Sequence, residues 1–161
     1  MPTTLRCNQC NGEMALTLLE PIEGEEHGLH MKIEGLSALQ CPNGHKRFVE
    51  PEFPSRFIDE LLATPQLVPL AAAEKKGLLR RRYGCPACGQ ALDPTLHDSG
   101  RVEADRSLEF EGFSRFGVHV DLPAYRCPSC ARECVEPHDT MVSDLMKASA
   151  HAFRAAQIAP G

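Results

Sequence analysis

Apolar and polar residues alternate most clearly in two stretches, and both predict strands. Leu29, Met31 and Ile33 are interleaved with His30 and Lys32, and Val118, Val120 and Leu122 with His119 and Asp121. A period of two puts one set on a buried face and the other toward solvent. The same reading places strands near 14–20, 28–33 and 36–40, and again near 107–111, 116–122 and 124–126. Two stretches carry the helical period instead. One starts near Ser55, a favourable N-cap, with Phe57, Ile58, Leu61 and Leu62 on one face. The other starts near Asp139, with Val142, Leu145, Met146, Phe153 and Ala156 at helical spacing. Between them, Pro65 to Pro69 reads as a linker, followed by a short Ala-rich helix and a strand over 78–83.

The two halves repeat one order. Residues 36–51 align without a gap on 122–137: Leu36 falls on Leu122, Ala38 on Ala124, Cys41-Pro42 on Cys127-Pro128, and Val49-Glu50-Pro51 on Val135-Glu136-Pro137. Upstream, Cys7 and Cys10 match Cys85 and Cys88, with an apolar residue, Met14 or Leu92, four beyond the second cysteine. Such internal similarity is the mark of a repeated unit. Each unit reads as cysteine turn, strands, cysteine turn, strand, helix. The expected fold class is therefore small α+β: two duplicated antiparallel β modules, each followed by a helix. The expected boundaries are 1–64 for the first module, 65–82 for a linker and 83–161 for the second.

Composition changes this picture in one respect. Of 161 residues, 42% are apolar and 24% charged, as in an ordinary folded protein, but 13 prolines and 12 glycines break the chain into short elements. Halves of about 80 residues bury little core, and such units commonly depend on a disulfide or a metal. The polar start, Met1 to Arg6, does not read as a signal peptide, and no apolar run nears the ~18 residues of a membrane span. A cytoplasmic chain without a membrane partner is the expectation. There thiols stay reduced, and paired cysteines point to metal.

Seven of the eight cysteines fall into pairing motifs. Two cysteines separated by two residues wrap one zinc ion from a single turn, and a second such turn completes the tetrahedron. Cys85, Cys88, Cys127 and Cys130 supply four thiolates in this way, with 38 residues between the pairs for a hairpin to absorb. In the first repeat Gly44 stands where Cys130 stands in the second, and His45 follows it. Imidazole replaces thiolate readily at zinc, and Gly44 can adopt the backbone that turns the longer side chain inward. The expected ligands there are Cys7, Cys10, Cys41 and His45, which makes two structural Zn2+ ions per chain.

These motifs resemble the zinc-ribbon superfamily over both repeats. The knuckle Cys41-Pro-Asn-Gly-His45 is similar to that of the Cys3His zinc domain of bacterial ribosomal-RNA guanine methyltransferases. The resemblance implies a shared ligand set at Cys7, Cys10, Cys41 and His45 only. The chain lacks a Gly-rich strand–turn–helix for S-adenosylmethionine, so it does not imply methyltransferase activity.

Charge adds one further candidate. The net charge is −5, made of −5 over residues 1–69, +4 over 70–84 and −4 over 85–161. The positive stretch holds Lys75, Lys76, Arg80, Arg81 and Arg82 beside one aromatic, Tyr83. It reads either as a solubilising link between acidic modules or as an anion-binding strip for nucleic acid or an acidic protein. Cys134 occupies the place of Phe48 in the repeat and is expected in the core, while His30 and His119 fall on solvent faces. No Ser, His and acid grouping stands out. The expectation is a non-enzymatic module that binds another protein, with a nucleic-acid-binding or transcription-associated zinc ribbon as the alternative.

Overall fold

The computed structural model describes residues 5–72, 83–92, 100–110 and 115–159. The first repeat runs β1 (Ala15–Leu18), β2 (Ile22–Glu26), β3 (Leu29–Glu34), β4 (Ser37–Gln40), β5 (Lys46–Arg47) and α1 (Phe53–Leu62). Then come β6 (Ala71–Ala72), β7 (Tyr83–Gly84), β8 (Ala91–Leu92), β9 (Gly100–Leu108) and β10 (Phe116–Arg126). The chain continues through β11 (Glu133–Cys134), α2 (His138–Ala155) and β12 (Ile158–Ala159).

The two alternating stretches find each other. β3 pairs antiparallel with β10, β2 flanks β3 and β9 flanks β10, so the central sheet reads β2-β3-β10-β9. Met31 lies opposite Val120 and Ile33 opposite Val118, and all four side chains are buried. The register has a further property. The internal alignment shifts numbers by 86, the difference between Leu36 and Leu122. Under that shift the pair Glu34–Gly117 becomes Val120–Met31, and Ile33–Val118 becomes His119–Lys32; both images are themselves pairs in the sheet. The contact is self-complementary in the manner of a twofold interface.

Both helices cover one face of this sheet, and one core results. It joins Met31, Ile33, Phe53, Phe57 and Leu61 of the first repeat to Phe116, Val118, Leu122, Leu145 and Phe153 of the second. Phenylalanines dominate it: the ring centroids of Phe48 and Phe153 are 4.9 Å apart and those of Phe53 and Phe116 5.8 Å. One core thus draws on residues from both sides of the expected linker at 65–82. The described start of that linker is anchored, with Leu67 and Leu70 buried.

Several elements differ from the sequence reading, each for a local reason. β2 forms over residues to which the sequence pattern assigns no strand: Glu23 and Glu25 face solvent, while Ile22 and Gly24 face in. Gly24 marks the closest approach of α2, since a Cβ there would lie 2.0 Å from Ala148 O and 2.8 Å from Ala152 N. A glycine at the inward slot erases the alternation that would have revealed the strand. The β2–β3 turn is tight, with φ of 47° at His27 and 79° at Gly28, the left-handed pair that two-residue hairpins favour. Strands expected at 116–122 and 124–126 form one strand through Pro123, which pairs with Arg101. Pairing with β3 stops at Asp121, so the missing N–H falls where that side of the ladder has ended.

The helices also begin earlier than their expected caps. α1 is capped at Glu52 with Pro54 in its first turn, and α2 at Pro137, leaving Asp139 inside the first turn. The buried face of α2 is Met141, Leu145, Ala148, Ala152 and Phe153, and Met146, expected inward, is 54% exposed. Alanines at the seam with β2 let the helix sit close and rotate its contact stripe. At the C-terminus of α1, Arg106 of β9 donates to Glu60 O at 2.9 Å and to Thr64 Oγ1 at 3.0 Å, supplying partners for polar groups that the helix end leaves open. The expected Ala-rich helix starts instead as β6; the rest of it lies outside the described residues.

Candidate metal centres

The cysteine turns owe their shape to backbone hydrogen bonds. In three of them the first cysteine donates its N–H to the carbonyl five residues on: Cys7 to Gly12 (2.8 Å), Cys85 to Gln90 (2.9 Å) and Cys127 to Arg132 (2.9 Å). The carbonyl of the same cysteine accepts from the residue four on, namely Asn11, Gly89 or Ala131. Each of these fourth residues has a positive φ, of 60°, 76° and 63°. Closed in this way, each turn brings its sulfur ligands to one side.

The fourth turn is one residue tighter. Cys41 N–H reaches His45 O at 3.0 Å, Gly44 N–H reaches Cys41 O at 2.9 Å, and Gly44 carries the positive φ, 85°. Gly44 therefore does the backbone work of Ala131, and the ligand follows that residue instead of preceding it. The strand leaving the turn is shifted to match. β4 pairs Leu39 with Arg47, whereas β10 pairs the aligned Tyr125 with Cys134, one position further than the alignment would give. A longer imidazole after a shorter turn reaches the place that a thiolate reaches from a longer one.

The result is two compact groups. Cys7, Cys10, Cys41 and His45 form one, and Cys85, Cys88, Cys127 and Cys130 the other, with the ligand atoms of each within 4.8 Å of one another. His45 Nδ1 lies 3.5 Å from Cys7 Sγ and 3.4 Å from Cys41 Sγ, and Cys10 Sγ lies 3.6 Å from Cys41 Sγ. In the second group the Cys85–Cys130 and Cys88–Cys127 sulfurs are 3.6 and 3.5 Å apart. These are not disulfides, whose sulfurs are bonded at about 2.05 Å. A tetrahedron with usual zinc bond lengths would set sulfurs about 3.8 Å apart and sulfur from nitrogen about 3.5 Å. The observed separations fit such an ion. Cys7, Cys41, Cys85 and Cys127 are buried, and Cys88 and Cys130 are exposed, so each group has an inner and an outer side.

Within each group the thiols shift in both directions. The Asn43 side chain, helped by the Gly12 N–H, holds the Cys10 thiol down to about 6. The Cys88 N–H does the same for Cys85, also to about 6, against the opposing effect of burial. Cys88 is pushed up to about 12: the Gln90 N–H favours its thiolate, but Cys127 and burial prevail. Some donors are poised as thiolates while their neighbours keep protons until positive charge arrives.

The other candidates are placed as follows. Cys134 is fully buried beside Leu70 and Tyr125, outside both groups, and burial followed by the nearby Cys85 pushes its thiol up to about 11. That is an unreactive core position. His119 and His30 lie on the sheet face away from the helices. There His119 Nδ1 meets Asp105 Oδ1 at 2.7 Å, and His30 Nε2 lies 3.9 Å from Glu23 Oε1. Lys75, Lys76, Arg80, Arg81 and Arg82 fall outside the described residues.

A polar clasp went unforeseen. His27 Nδ1 contacts the buried carboxylate of Asp144 at 3.0 Å, and His151 Nε2 contacts Glu26 Oε2 at 3.0 Å, tying the β2–β3 turn to α2. Partners 117 and 125 residues apart leave no local trace in sequence. Among the described residues, no helix is long and apolar enough to cross a membrane.

No family model matches the chain, and neither the curated proteins nor the solved structures contain a match to it.

Proposed function

We propose that this chain is a zinc-binding adaptor: two duplicated zinc-ribbon repeats, each holding one structural Zn2+, that together present a surface to another protein. One observation carries the metal reading. Two groups of four thiolate or imidazole donors lie at separations that suit a tetrahedral ion. Thiolate-rich sets favour zinc over hard cations. Four protein ligands complete the coordination shell, whereas a catalytic zinc keeps a position for water or substrate. That closure supports a non-enzymatic role. The self-complementary β3–β10 register supports duplication as the origin of the fold.

The binding role is supported by what the described surface offers. The outer sheet face mixes both signs of charge, with Lys32 against Glu34 and Arg101 against Asp121. The cleft between α1 and α2, about 550 Å³, is walled by Ile58, Leu62, Val142, Met146 and Phe153. Neither is the continuous basic track that nucleic acid requires. The competing nucleic-acid reading draws on Lys75, Lys76, Arg80, Arg81 and Arg82 alone. Affinity capture at physiological salt, with a parallel titration against RNA and DNA at low salt, separates the two. A stoichiometric protein partner and no salt-dependent nucleic-acid binding is the expected result. Recovery of nucleic acid alone would overturn the adaptor reading.

A further inference from the structure

Each helix is followed by a short extended segment, and each segment lies along the metal-binding turn of the other repeat. After α1, the chain from Val68 to Leu70 runs beside Val135, the residue that follows β11. Val135 N–H donates to Val68 O at 2.9 Å and Leu70 N–H to Val135 O at 3.2 Å, around a parallel bridge between Pro69 and Val135. After α2, β12 runs parallel to β5, pairing Ile158 with Lys46 and Ala159 with Arg47. Lys46 Nζ adds a hydrogen bond to Ala156 O at 3.1 Å.

Both contacted strands belong to the metal sites. β5 begins at the residue after His45. β11 contains Cys134, which lies against Cys85. Each is only two residues long, and each has one strand of its own repeat on one side: β4 for β5, β10 for β11. Strands this short do not hold a position with a single neighbour. The second neighbour comes from the other repeat in both cases. The segments are also packed: Ile158 is buried in the main core, and Leu70 is buried against Tyr125 and Cys134.

We propose that the two metal sites are cross-braced, the segment after each repeat's helix holding the metal turn of the other repeat. Zinc retention at the first site then depends on the end of the second repeat, and retention at the second on the segment leaving the first. The chain behaves as two interlocked halves, and a disturbance of either helix is transmitted to the opposite metal. This inference rests on the zinc reading above. The arrangement predicts a crossed pattern that general loss of stability does not produce.

The test uses the zinc-loaded full chain and time-resolved alkylation read by mass spectrometry. Cys10 reports the first site and Cys88 with Cys130 the second. Deleting residues 158–161 removes no ligand. It is expected to speed alkylation of Cys10 about tenfold, in keeping with the loss of two or so backbone hydrogen bonds, with Cys88 and Cys130 within about twofold of the parent. Leu70→Ala is expected to do the reverse, exposing Cys88 and Cys130 and sparing Cys10. Equal acceleration at both sites, acceleration in the same repeat as the change, or no change in either variant would overturn the proposal. Immediate alkylation of Cys10, Cys88 and Cys130 in the unaltered chain would instead remove the metal reading, and this inference with it.

Discussion

Gly24→Ala adds one methyl group, and the structure determines the sign of its effect. Gly24 lacks a left-handed φ, so backbone entropy alone would make alanine stabilising by about 0.4–1 kcal/mol. The new Cβ, however, would sit 2.0 Å from Ala148 O and 2.8 Å from Ala152 N. Both are backbone atoms of α2 and cannot rotate away. Relief requires α2 to move off the sheet by more than about 1 Å, which opens the packing of Ala148, Ala152 and Met31 beneath it. Overpacking of this kind costs about 1–3 kcal/mol, and the rigid neighbours place this case at the upper end. The net loss is then about 2 kcal/mol, or a Tm lower by about 4–8 °C for a chain of this size. Thermal unfolding of the zinc-loaded protein, followed by circular dichroism, measures it. Metal content should be unchanged, because no ligand is touched. A Tm equal to or above that of the parent would refute the close approach of β2 to α2.

The remaining predictions concern the metal turns and the odd cysteine. Gly44→Ala meets open space but a φ of 85°, so it should strain the fourth turn by about 1–2 kcal/mol and weaken zinc binding at the first site without affecting the second; competition with a chromogenic chelator reads both. Because metal binding is coupled to folding, chelation should unfold the chain, and Cys85→Ser should lower protection from proteolysis more around 83–92 and 116–134 than around 5–47. Cys134 should resist alkylation at pH 8 until the fold is lost, since burial pushes its thiol up to about 11. A raised thiol pKa stabilises the native state fully below the ordinary value of about 8.5. That contribution is lost as pH climbs from there through 11, so alkaline denaturation should begin later in Cys134→Ala.

What could be read from sequence was what chemistry or local period records. The two candidate donor groups were legible because each turn packs its donors within five residues. The prominent β3 and β10 strands were legible because alternating side chains record a half-buried face. β2 was hidden because its inward positions hold Ile22 and a glycine chosen for closeness to α2. The true contact face of α2 was hidden for the matching reason: Ala148 and Ala152 carry little hydrophobic signal, yet they form the seam. The β3–β10 pairing, the Asp144–His27 clasp and the contacts of Val68–Leu70 and Ile158–Ala159 are long-range, and nothing local in the chain marks them. The internal alignment singled out His45, whose ring lies within the first group, but implied that Gly44 and Cys130 are equivalent, whereas the hydrogen bonds match Gly44 to Ala131.

The central claim is that two closed four-ligand sites each hold one zinc ion, the first completed by His45. Native mass spectrometry with elemental analysis tests it on the purified chain and on His45→Ala. Two zinc ions per chain are expected for the first, and for the variant a first site that gives up its metal while the second keeps its own. One ion in the unaltered chain, or two tightly held ions in the variant, would contradict it.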